Sequence, residues 1–186
     1  MNLVTRAKNM LLSPKSEWPV AAGESIDVKS LYTGYIMILS AIPPLCSLIG
    51  IGLFFHRMGL GLGGAILRYL LGLAGVYLLA IIAAKLAPNF GGRDDVRQGL
   101  KLTAYSATAS WVGGIFFLVP VLGILSVLAS LYSLYLLYLG VSPTMAVPPE
   151  RAAIYTVAMI LAAVLIFSVV ALIAGAVVGS SMMGMR

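Results

Sequence analysis

Apolar residues run along this chain in long stretches separated by short polar, glycine-rich or proline-rich breaks. Stretches of about 20 apolar residues predict membrane-spanning helices, because only a closed hydrogen-bonded backbone is stable in lipid. The first predicted span covers residues 32–55 and is interrupted by Pro43-Pro44, neither of which has a backbone donor, so a kink or break is expected there. The second covers 63–86, after a glycine-rich turn at Gly59 to Gly64. From Leu102 to Leu139 there is no charge at all. As one helix that segment would measure roughly 57 Å, about twice the hydrocarbon thickness, so it must double back. A turn at Pro120 to Gly123 divides it into spans 102–119 and 121–139. After a polar break from Ser142 to Arg151, the fifth span covers 152–179.

Ahead of the spans, Leu3, Ala7, Met10 and Leu11 stand near helical spacing with Arg6 and Lys8 interposed. This predicts a short amphipathic helix on the membrane surface, ended by Ser13-Pro14. In the next segment Ser16 is expected to cap a helix, Glu17 to face the positive end of its dipole, and Trp18 to lie at headgroup level. The expected architecture is therefore an all-α integral membrane protein: an interfacial segment, residues 1–30, and a five-span domain, residues 31–186. An odd number of crossings puts the termini on opposite sides. Nine Lys and Arg residues fall on the N-terminal side (Arg6, Lys8, Lys15, Lys29, Lys85, Arg93, Arg97, Lys101, Arg151) and three on the other (Arg57, Arg68, Arg186), which predicts a cytoplasmic N-terminus.

Composition sharpens this reading. Hydrophobic residues make up 61% of the 186 positions and charged residues 10%, against roughly a quarter charged in a soluble domain. The net charge of +6 is distributed between apolar stretches rather than gathered in one basic patch, which argues against nucleic acid. The single cysteine, Cys46, lies in an apolar stretch and offers neither an intramolecular disulfide nor a metal cluster. The first thirty residues contain no apolar core followed by a small-residue cleavage site, so the first span is expected to act as its own insertion signal.

Few motifs suggest chemistry. Gly59-Leu60-Gly61-Leu62-Gly63-Gly64 has the spacing of a dinucleotide fingerprint, but that motif needs a strand and a following helix, and here it joins two spans. Asp94-Asp95 is a candidate cation or headgroup site with Arg97 nearby, yet both aspartates also suit the first turn of a helix. Arg68 stands about a turn inside its span, where a cation marks a polar pathway or else snorkels to the interface. Ser106 and Ser110, with Thr103, share one helix face and either line a wet path or pack helices together, the second being favoured. Gly175 and Gly179 form a GxxxG helix-association signal, and Gly72 with Gly75 follows the same logic. No span carries Asp, Glu or His well inside it, so the carboxylate relay of many proton-coupled transporters is not expected, and neither are a catalytic set, a metal or a cofactor.

The chain resembles the Yip (Ypt-interacting-protein) family, in particular its short bacterial members, over most of its length. The resemblance is carried by Pro14-Lys15-Ser16-Glu17-Trp18, by Gly91-Gly92-Arg93-Asp94-Asp95 leading into Leu102-Thr103-Ala104-Tyr105-Ser106, and by Leu134 to Gly140 followed by Met145 and Pro148-Pro149-Glu150-Arg151-Ala152. It implies five spans, a cytoplasmic N-terminus and an outward C-terminus. Eukaryotic members act at Golgi and endoplasmic reticulum membranes through Rab GTPases; their Asp-Leu-Tyr-Gly-Pro motif is absent from this sequence. The expectation is a non-enzymatic, homo-oligomeric organiser of the bacterial cytoplasmic (inner) membrane, with lipids and unidentified proteins as partners. A channel or transporter using the Pro43-Pro44 break and Arg68 is the alternative, and an enzyme acting on headgroups through Asp94, Asp95, Arg93 and Arg97 ranks third.

Overall fold

A computed structural model describes residues 2–55 and 58–183, with the side chains at 51, 53–61, 120 and 177–183 outside the described set. His56 and Arg57, expected in the turn between the first two spans, therefore lie outside it. The described residues contain helices and turns and no strand.

Asn2 opens α1 (Leu3–Leu12) by accepting a hydrogen bond from the Val4 N–H at 3.1 Å. The predicted stripe turns inward at Ala7 and Met10, and Arg6 is buried with it at 3% exposure. Ser13 bends the chain into α2 (Pro14–Gly23). Ser16 does not cap that helix as expected. It lies within the first turn and its hydroxyl donates to the Ser13 carbonyl, because Pro14 already supplies the pre-set helical φ one turn earlier. Trp18 is also not at an exposed interface: it is 1% exposed and packed in the core.

The first long run comprises α3 (Val28–Leu31), a π-type turn at Tyr32–Ile36, α4 (Met37–Ser40) and α5 (Ile42–Phe55). Its break falls at Ala41, just ahead of Pro43-Pro44. The two prolines then sit in the first turn of α5, where a helix needs no N–H from them. The second run, α6 (Met58–Leu86), ends in a 3-10 turn at Ala87–Phe90. Gly59 to Gly64 is not a turn but the first turns of α6, since glycine is tolerated in helices of membrane proteins.

The third run starts earlier than 102 and is not one helix: α7 (Val96–Ser106), α8 (Thr108–Gly113) and a 3-10 stretch at Gly114–Leu118 follow each other with a step at Ala107. The predicted turn at Pro120 to Gly123 is a 3-10 turn, Pro120–Leu122, leading into α9 (Gly123–Met145). That helix continues through Ser142 and Pro143, so the expected polar break narrows to Ala146–Pro148, and α10 (Pro149–Met183) begins at once.

Among the described residues, four helices are long and apolar enough to cross a membrane: Val28–Gly50, Leu62–Phe90, Gly123–Met145 and Pro149–Ala176. The third run is the middle of the bundle, with every residue from Gly99 to Ser106 buried and α7 packed between α6 and α9. Helix α10 packs on α6 and α9 and leaves Leu161, Leu165 and Leu172 exposed on its outer side. Tyrosines stitch the layers by donating to carbonyls of neighbouring helices: Tyr32 to Leu73 at 2.7 Å, Tyr69 to Met37 at 2.8 Å and Tyr155 to Ala83 at 2.7 Å.

Two of the glycines let α5 approach the third run closely. A Cβ on Gly114 would lie 2.6–2.8 Å from three Pro43 carbons, and one on Gly50 would lie 2.3 Å from the Phe117 carbonyl oxygen. The proline-started α5 is thereby seated against the 3-10 stretch of the third run. Gly114→Ala should overpack this contact and cost about 1–3 kcal/mol. Gly72→Ala, whose Cβ would meet nothing within 4 Å, should be neutral or gain up to ~1 kcal/mol from helix propensity. Thermal unfolding of the two variants in the same detergent checks the contrast.

Candidate functional site

The chemistry suggested by the sequence is distributed and largely engaged in structure. Asp94 pairs with Lys85 at 2.6 Å on an exposed surface. Asp95 is the N-cap of α7, accepting from the Arg97 and Gln98 N–H groups at 2.9 and 3.2 Å. The two aspartates thus face different partners, and Arg97 is exposed. Among the described residues no group of three His, Cys, Asp or Glu gathers to hold a metal ion. The Ser106 hydroxyl donates to the Thr103 carbonyl at 3.2 Å and that of Ser110 to the Ala107 carbonyl at 2.9 Å, while the Ser110 N–H donates to Ser133 Oγ at 2.9 Å. Arg68 is exposed on α6. Pro43 and Pro44 are half-buried at the start of α5. A Cβ on Gly175 would meet nothing within 4 Å, and the surroundings of Gly179 lie outside the described residues.

A different set of residues converges at the N-terminal end of the bundle. Helices α1 and α2 form a hairpin whose inner side carries Arg6, Glu17 and Trp18. Arg6 Nη1 donates to Glu17 Oε1 at 2.6 Å, Arg6 Nη2 to Glu24, and Asn9 Nδ2 to Glu17 Oε2 at 3.1 Å. One guanidinium therefore ties together α1, α2 and the segment that follows. It also lies 5.5 Å from the centroid of the Tyr105 ring, where the ring face favours a cation. Tyr105 meets Trp18 edge-on at 6.2 Å and Tyr35 at 5.0 Å, and Tyr35 Oη and Thr108 Oγ1 share a buried hydrogen bond of 2.6 Å.

Lys101 and Gln98 reach from α7 to the end of α2: Lys101 Nζ donates to the Ala22 carbonyl at 3.1 Å and to that of Glu24, and Gln98 Nε2 to Ala22 at 3.0 Å. Cationic and amide donors there satisfy carbonyls that a helix end leaves free.

Charge counting alone did not find this set. The available signal was Arg6 itself, which falls within the apolar stripe of α1, between Leu3 and Met10 at helical spacing, where a cation needs an acidic partner. Such spacing cannot name the partner, because Glu17 and Glu24 are 11 and 18 residues away.

The Yip1 domain family model matches residues 8–179. The chain belongs to the Yip1 domain family. It is similar to the inner membrane protein YohC of two Escherichia coli strains, 26% identical over 119 residues, 59% of this chain. The alignment spans 61% of those relatives, about three-fifths of their length. Their names specify no enzymatic activity. No solved structure matches the chain.

The segments that carry the Yip resemblance meet at this site. A Cβ on Gly140 would lie 2.6 Å from two Trp18 ring carbons and 2.8 Å from Leu102 Cδ1. Trp18, Leu102, Tyr105 and Gly140 come from three distant segments and share one contact. The Gly91 to Asp95 segment holds the same C-terminal end of α9: the Arg93 N–H donates to the Met145 carbonyl at 2.9 Å, and its guanidinium to the Thr144 carbonyl at 3.1 and 3.3 Å. Gly92 allows that approach, since its Cβ would lie 2.6 Å from the Met145 oxygen. These Yip1-family segments therefore hold the hairpin, α7 and α9 in one packed unit.

Arg6→Ala should leave Glu17 buried without its cation and destabilise the protein by roughly 3–5 kcal/mol. Combining Arg6→Met with Glu17→Gln and Glu24→Gln removes all three charges and should restore most of that loss. Unfolding by SDS titration of the single and triple variants measures both.

Proposed function

We propose that this Yip1-family protein is a non-enzymatic, oligomeric organiser of the bacterial inner membrane, acting on lipids or partner proteins through its surfaces rather than through a reaction centre. The observation that carries this reading is the state of the polar groups inside the third run. The Ser106 and Ser110 hydroxyls donate to carbonyls of their own helical run, which fits helix packing better than a hydrated path. Asp94 and Asp95 are engaged as an ion pair and a helix cap, which leaves the headgroup-enzyme reading without a free carboxylate pair. Gly175 lies on α10 with open space where a Cβ would be, a surface that a second copy of the chain can occupy. The relatives named as inner membrane proteins support the location.

The proposed topology has five crossings, with the broken third run as the central one, the N-terminus cytoplasmic and the C-terminus outside. Cysteines placed at Asn2 and Arg186 in a Cys46→Ala background should then react with an impermeant maleimide from opposite faces of the cytoplasmic membrane. Labelling of both from the same face overturns the topology. Crosslinking in intact membranes should capture discrete homo-oligomers or partners, weakened by Gly175→Leu, whereas a strictly monomeric and partner-free protein contradicts the organiser.

One observation favours transport as the second reading: Ser40 Oγ is buried without a hydrogen-bond partner among the described residues, one residue before the break at Ala41. Discontinuous helices bind ions or polar solutes at such breaks. Flux of ions and small solutes into liposomes, abolished by Ser40→Ala and reduced by Arg68→Ala, would establish it; liposomes that remain tight to every solute class favour the organiser.

A further inference from the structure

Beside the Arg6 cluster lies a cavity of about 210 Å³, open to the outside between α1, the α2–α3 connection and the π-type turn. Its polar lining is Arg6, Glu24, Ser30, Tyr35 and Tyr105, and its apolar wall is Leu3, Ile26 and Leu31. Gly34 completes the lining, and a Cβ there would meet nothing within 4 Å. The missing side chain keeps that side of the cavity empty. Single π-type turns inside α-helices concentrate at functional sites, and here the distorted segment Tyr32–Ile36 supplies Gly34 and Tyr35 to the wall.

We infer that this cavity binds an organic ammonium group, presented by an aminophospholipid headgroup or by a free amine. The sign of the ligand follows from which charge is reachable. The Arg6 side chain is 4% exposed and its nitrogens are turned to carboxylates, whereas the Glu24 side chain is 32% exposed. Two glutamates against one arginine leave the triad with an excess negative charge. The Lys101 Nζ that offsets it is held on the backbone carbonyls of Ala22 and Glu24. An incoming anion would meet the Glu24 carboxylate first; an ammonium would meet an acceptor there and a second in the Ser30 hydroxyl. Tyr35 and Tyr105 close the inner wall, the Tyr105 face being already taken by the Arg6 guanidinium at 5.5 Å, so the ammonium is held from the Glu24 and Ser30 side. The apolar residues suit the methylenes attached to the nitrogen.

The height of the cavity also fits a headgroup. Ser30, Leu31, Gly34 and Tyr35 lie in the first two turns of the candidate span Val28–Gly50, so Gly34 is only about 9 Å inside its end at 1.5 Å per residue. This placement rests on the topology proposed above, whereas binding of a free amine does not, and the two are tested separately.

The test is native mass spectrometry of the full chain released from micelles holding equal amounts of phosphatidylethanolamine and phosphatidylglycerol with the same acyl chains. A second arm measures the thermal shift given by free ethanolamine in detergent. Retention of phosphatidylethanolamine about fivefold over phosphatidylglycerol, a difference of roughly 1 kcal/mol, supports the headgroup source. A melting shift by ethanolamine without lipid preference supports the free amine. Gly34→Leu fills the cavity and touches no ion pair, so it should abolish either signal while the protein still melts cooperatively. Glu24→Gln should weaken the signal as well. Equal retention of both lipids with no ethanolamine shift overturns the site, as does a preference that survives in folded Gly34→Leu.

Discussion

A guanidinium cannot remain buried without acceptors, and that requirement organises the N-terminal end of this protein. Arg6 is carried inward by the same helical face that buries Ala7 and Met10. Glu17 must then approach from α2 and Glu24 from the segment after it. With these contacts formed, α2 lies with Trp18 against Tyr105 and over Gly140. A buried ion pair adds little net stability, but loss of one member is costly. Arg6 therefore acts mainly by selecting one docking arrangement of the hairpin over others.

The amphipathic helix predicted at the surface is consequently part of the bundle. Periodicity of Leu3, Ala7 and Met10 correctly marked a helix with one apolar side. It could not distinguish lipid from protein as the medium covering that side, since both are apolar. Trp18 shows the same ambiguity: an aromatic residue beside charged neighbours suits an interface, yet three segments distant in sequence provide a closed site for it. The hairpin turn at Pro120 was legible because chain length and bilayer thickness dictate it. The step at Ala107 was not, because no proline or glycine marks it; Ala107, whose carbonyl accepts the Trp111 N–H and the Ser110 hydroxyl, has an ordinary helical residue type.

The site was legible only in part for a related reason. Local spacing located the caps and pairs formed within a few residues, such as Asp95 with Arg97 and Gln98. Partners separated by 73 to 79 residues, Tyr35 with Thr108 and Lys101 with the end of α2, follow from the packing of α7 in the middle of the bundle. The segments that carry the family resemblance do mark this region, through Glu17, Trp18, Tyr105 and Gly140. Their physical meaning becomes clear only where they meet: small Gly140 admits the Trp18 ring, and the ring in turn fixes the hairpin that carries Arg6's partners.

Backbone hydrogen exchange of the full chain in lipid nanodiscs addresses this docking most directly. If Arg6 fixes the hairpin to the bundle, amides of residues 6–21 exchange nearly as slowly as those of residues 99–106 in α7. Exchange of the hairpin at the rate of an isolated surface helix, orders of magnitude faster than α7, would contradict the account.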